Sequence, residues 1–118
     1  MNRDLAAVAD IVESARSIGD YIAGVSRNEF IENEQLQDSV IRRLLVIGEA
    51  AGRLSASFRD ARPGVPWREI RGMRNRMVHV YDDIDVKLVW RTVRNDVPRL
   101  LAELAPIVSS DSEALSSD

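Results

Sequence analysis

The chain has 118 residues, no cysteine, a single histidine and a formal net charge of −3 at pH 7. That length makes one domain able to bury most of a small core without staples, and the missing cysteines exclude disulfides, thiolate chemistry and a His/Cys zinc site. No apolar run approaches a membrane span and the opening residues lack the apolar centre of a signal peptide, so the expectation is a cytoplasmic protein with no membrane contact.

Residues 3–25 read as a long helix. Leu5, Val8, Val12, Ala15, Ile18, Ile22 and Val25 recur at three and four, and Asn2 or Asp4 can cap the start. After a break near Gly24, Ser26 and Glu29 have the spacing of a capping box for a short turn over residues 27–31. Asn33 then caps a second long helix over residues 34–54, whose apolar arc is broad enough to meet more than one neighbour. Gly48 and Gly52 would allow close approach of another helix. Glu49, at the rim of that arc, is either the partner of a buried arginine or an ordinary surface acid.

Residues 55–66, with Pro63 and Pro66 around a glycine, read as a connector, and Pro66 suits the first turn of the next helix. A third helix covers residues 67–81. Asp82, Asp83 and Asp85 break its pattern, and Asp85 can cap a fourth helix in which Val86, Val89, Trp90, Val93, Val97, Leu100, Leu101, Leu104 and Ile107 continue the periodicity. Pro98 interrupts it, so either Asp96 caps a fresh helix or the fourth is kinked there. The acidic stretch 109–118 reads as a disordered tail after a domain of residues 1–108. No segment alternates like a strand. The expected fold is all-α: an antiparallel bundle of four main helices plus short helical segments.

The chemistry concentrates in residues 67–81. At roughly 100° per residue, Trp67, Ile70, Met73, Met77, Val78 and Tyr81 gather into one apolar arc, and Arg74 falls inside it. A cation on a core-facing stripe is costly unless an acid, a partner chain or a ligand anion satisfies it. Arg68, Arg71, Asn75 and His79 form a polar strip along one edge. Arg74 and His79 diverge by about 140° on a regular helix, so a shared ligand implies a helix ending near His79, a wrapped arginine, or a composite site built by two copies of the chain.

Charge is uneven as well. Residues 53–76 hold seven arginines against Asp60 and Glu69, and fifteen of the sixteen basic residues are arginine, the side chain suited to bidentate phosphate contacts. There is no phosphate-binding glycine loop, no Ser-His-Asp setting and no metal-ligand cluster; the aspartates at 82, 83 and 85 read as a solvated cap. A lone imidazole that titrates near pH 6.5, with guanidinium groups beside it, suits RNA, which carries its own nucleophile in the 2′-hydroxyl. The competing reading on residues alone is a hydrogen-bonded structural histidine.

Arg74-Asn75-Arg76-Met77-Val78-His79 fits the R-x4–6-H signature of HEPN-domain ribonucleases. With Tyr81 it extends to R-x4-H-x-Y, which resembles the HepT subfamily of toxins. The blocks IGEAAGRLS at 47–55, VPWREIRGMRN at 65–75 and VWRTVRNDVPRLL at 89–101 are similar too, so the resemblance covers residues 3–108. It implies a metal-independent endoribonuclease toxin of a type VII-like toxin–antitoxin pair, working as a homodimer without a cofactor. Arg74 and His79 would be the catalytic pair, with Asn75 and Glu49 in support and Arg68, Arg71 and Arg76 binding RNA phosphates. Tyr81 matches the tyrosine that a separate MNT-type nucleotidyltransferase antitoxin modifies with AMP. Two other classes stand beside this one: a non-catalytic nucleotide- or nucleotidyltransferase-binding bundle, and a structural or DNA-binding dimer, which the acidic balance disfavours.

Overall fold

The computed structural model describes residues 2–78 and 85–116, with side chains placed for 3–73 and 85–110. The described residues are helical throughout their regular structure: α1 (Asn2–Ile22), α2 (Arg27–Glu32), α3 (Glu34–Arg53), α4 (Ala56–Asp60), α5 (Trp67–Val78), α6 (Val86–Arg91), a π-helical turn (Thr92–Asp96) and α7 (Val97–Ser116). The long helices α1 and α3 pack side by side, α7 lies along α1, and α5 lies along α3. Two contacts fix the direction of the first pair. Asp4 and Asp10, early in α1, reach Ser55 and Arg53 at the end of α3, so α1 and α3 run antiparallel. The all-α bundle expected from periodicity is the fold observed.

Local chemistry sets most of the boundaries. Gly24 takes the left-handed backbone at φ 73°, where an L side chain would be strained, and α1 stops at Ile22, three residues before the apolar repeat does. The Ser26–Glu29 capping box forms in both directions at the start of α2. Asn33 Oδ1 accepts from the Leu36 amide at 3.0 Å and starts α3. Asp85 does the same for α6 through the Leu88 amide at 3.1 Å.

Three features differ from the periodicity. The connector after α3 contains the short helix α4, started by Ser55, whose hydroxyl accepts from the Phe58 amide at 3.1 Å. Five residues are too few to show a helical period, so only the cap could have announced it. Around Pro98 the chain neither restarts nor breaks. Proline has no amide to offer the usual carbonyl four residues back, and the backbone widens by one residue just before it: the Val97 amide bonds the Thr92 carbonyl, and the π turn joins α6 to α7. Finally, α7 continues as helix to Ser116, past Ile107, the last residue of the apolar repeat. Between Pro106 and Ser116 the segment has neither glycine nor proline to stop a helix already nucleated by the packed part of α7.

The core is one cluster. Ile11 and Ile18 of α1, Leu44 and Ile47 of α3, Val93 of the π turn and Leu104 of α7 are fully buried together with Phe30. Phe30 packs against Trp90 with ring centroids 5.1 Å apart and planes at 35°, which ties the short α2 to α6. No helix among the described residues is long and apolar enough to cross a membrane.

An arginine-lined cleft between α3, α4 and α5

Over residues 67–73, helix α5 keeps the face division read from its sequence. Trp67, Ile70 and Met73 are buried against the core, and Arg68 and Arg71, one turn apart on the other side, are exposed. Trp67 is locked in place: its indole N–H donates to the Arg62 carbonyl at 3.1 Å, and the edge of its ring meets Phe58 of α4 at a centroid distance of 6.3 Å. Arg62 in turn stacks on Phe58 at 3.8 Å. The first turn of α5 is therefore braced by α4 and the loop after it.

Between the C-terminal half of α3, helix α4 and the start of α5 lies an open cleft of about 980 Å³. Gly48 and Gly52 of α3 and Gly72 of α5 line it with little side-chain bulk, and Pro63, Val65 and Trp67 add apolar surface. Four arginines line it: Arg53, Arg59, Arg68 and Arg71, with the carboxylates of Glu49 and Asp60. Arg53 and Arg59 are each tethered through one terminal nitrogen. Arg53 Nη2 bonds Asp10 at 2.6 Å, in a pair exposed on both sides, and Arg59 Nη1 donates to the Leu54 and Ala51 carbonyls at the end of α3. Among the described residues, the side chains of Arg68 and Arg71 have no ion-pair or hydrogen-bond partner.

The α3–α4 junction that carries Arg59 is itself held from α1. Asp4 accepts from the Ser55 amide at 2.8 Å and from its hydroxyl at 2.7 Å. These two donors favour the carboxylate and hold the Asp4 pKa below its ordinary value.

Of the residues singled out in the sequence, Glu49, Arg68 and Arg71 come together at this cleft. Positions 74, 75 and 76 lie on α5, one turn beyond Ile70 and Arg71, and only the backbone of Arg74, Asn75 and Arg76 is described. His79, Tyr81, Asp82 and Asp83 lie outside the described residues. Among the described residues no group of acids and imidazoles is placed to hold a metal ion. Arg53 and Arg59 were not singled out. The signal for them is the arginine excess over residues 53–76, which does not by itself say which of the seven arginines share a surface.

Fold and cleft together define a class: a small all-α bundle with an open cleft in which four arginines outnumber two carboxylates. The chain belongs to the ribonuclease HepT-like family, whose model matches residues 11–107. Similar proteins include "Putative RNase MJ1380" of Methanocaldococcus jannaschii, 41% identical over 80% of this chain and 87% of its own length. A second is "Probable ribonuclease HepT" of Thermococcus cleftensis, 35% identical over 77% of this chain and 83% of its own. A third, "Putative RNase TTE0752" of Caldanaerobacter subterraneus, is 29% identical over 86% of this chain and 90% of its own. No solved structure gives a significant match.

Proposed function

We propose that this protein is a metal-independent endoribonuclease in which His79 is the general acid/base and Arg74 the phosphate clamp. The observation that carries the reading is the cleft. Two of its arginines, Arg68 and Arg71, have no side-chain partner among the described residues and stand on α5, the helix that also carries Arg74. Membership of a ribonuclease family supports the same substrate.

The chemistry needs few groups. The imidazole of His79 takes the proton of a ribose 2′-hydroxyl, and the oxygen attacks the adjacent phosphorus. The guanidinium of Arg74 stabilises the charge that builds on the phosphoryl oxygens. The bond to the 5′-oxygen breaks, and that leaving oxygen takes a proton from an imidazolium supplied by the second copy in a two-fold pair. The products are a 2′,3′-cyclic phosphate and a 5′-hydroxyl. Asn75 and Glu49 support Arg74, and Arg68, Arg71 and Arg76 bind the neighbouring phosphates.

In this reading the protein is the toxin of a toxin–antitoxin pair, acting in the cytoplasm as a homodimer. Its antitoxin is a separate MNT-type nucleotidyltransferase that links AMP to Tyr81. The added phosphate lies two residues from His79 in sequence and competes with RNA for the same arginines. The test is cleavage of a mixed RNA pool in EDTA by wild type and by His79→Ala. A loss on the order of 10²–10⁴-fold in a folded variant is expected for a general acid–base group. Full activity in His79→Ala, or a requirement for added Mg²⁺, would overturn the mechanism.

A further inference from the structure

The cleft has two walls, and only one of them belongs to α5. Arg68 and Arg71 stand on that helix, their side chains without partners among the described residues. The other wall carries Arg53, at the end of α3, and Arg59, in α4. These two differ in kind from the first pair, because each is already tied down by one nitrogen. Arg59 is fixed by the carbonyls that end α3, and Arg53 by Asp10. A guanidinium has five N–H donors, so one tether leaves most of the fork available while removing much of the rotamer freedom that binding would otherwise cost.

We propose that Arg53 and Arg59 form a preorganised backbone-binding wall for single-stranded RNA flanking the cleaved bond; this rests on the ribonuclease reading. Two observations favour a single strand. Pro63, Val65 and Trp67 add apolar surface to the lining, and an unpaired strand can lay base faces on such a surface, whereas a duplex keeps its base faces stacked inside. The cleft volume of about 980 Å³ lies at the upper end of the roughly 300–1,000 Å³ range of small-molecule pockets, so it admits more than one nucleotide.

The probe is a short single-stranded uridine oligonucleotide with 2′-O-methyl groups throughout, which binds but has no 2′-hydroxyl to react. Each phosphate contact to a single strand contributes about 0.7 to the slope of log K against log salt, so the four cleft arginines supply about 2.8 of its magnitude and Arg74 and Arg76 add to that. In Arg53→Gln and Arg59→Gln the magnitude should drop by about 0.7 each, whereas Arg59→Lys keeps the charge and should keep the slope. Arg59→Gln also removes the bonds that end α3; if it does not fold, Arg53→Gln, in an exposed pair, decides the question. Unchanged slopes in folded variants overturn the assignment, as does tighter binding of the matching 2′-O-methyl duplex or no binding of the single strand by wild type. If the slopes shift as expected but wild type cuts no RNA in EDTA, the ribonuclease reading falls and the binding wall stands.

Discussion

Replacing Phe30 by alanine tests whether the short helix α2 is a structural rivet and not a loop decoration. Phe30 is fully buried, and its ring supplies the contact with Trp90 at 5.1 Å that joins α2 to α6. Its carbonyl accepts from Gln37 Nε2 at 2.9 Å and stays in place when the ring is removed. A buried Phe→Ala change costs about 3–5 kcal/mol, of which the aromatic pair accounts for about 0.5–1.5 kcal/mol. Unfolding entropy of about 2.1 cal/mol/K per residue over 118 residues converts that loss into a fall in Tm of roughly 12–20 °C. Calorimetry at one fixed protein concentration reads it, since self-association would otherwise move the Tm. The cleft begins at Gly48, about 16 Å along α3 from Gln37, so oligonucleotide affinity below the transition should not change. A loss below ~1.5 kcal/mol would show that the Phe30 site collapses or is already loose, and the rivet argument would fail.

The Asp4–Ser55 bonds give a pH dependence. Because they hold the Asp4 pKa below its ordinary 3.8, their contribution is complete above that pH and is lost as pH falls through the lower folded value. Asp4→Asn should flatten that acid limb in urea unfolding followed against pH, and an unchanged limb would count against the latch. Tyr81→Phe keeps the ring without the acceptor oxygen, so it should resist the one-AMP mass increase produced by a cognate nucleotidyltransferase with ATP and escape silencing. Modification of Tyr81→Phe at the wild-type rate would put the acceptor elsewhere. Sedimentation at micromolar concentration should show a dimer; a strictly monomeric protein that still cuts RNA would refute the composite site.

Elements were legible where the signal was periodic or chemical. The repeat of Val8, Val12, Ala15 and Ile18 is the buried face of α1, and Ser26, Asn33 and Asp85 cap the helices that their spacing announced. The break near Gly24 was legible too; what escaped were decisions made by the backbone across several residues, namely the exact end of α1 at Ile22 and the π turn that accommodates Pro98. Those depend on which carbonyl an amide finds, which periodicity does not encode. At the cleft, the exposed Arg68 and Arg71 were readable from one helix alone. Arg53 and Arg59 were not, because only the packing of α4 against the end of α3 brings them opposite α5.

The central claim is that the RNA itself supplies the nucleophile, and the ends of the cleaved strands test it most directly. Wild-type protein in EDTA should leave 2′,3′-cyclic phosphate and 5′-hydroxyl ends, and a single 2′-deoxy substitution at the cleaved position should block the cut. Products bearing 5′-phosphate and 3′-hydroxyl ends, or unimpaired cleavage at the deoxy position, would mean that water is the nucleophile and would contradict the roles assigned to His79 and Arg74.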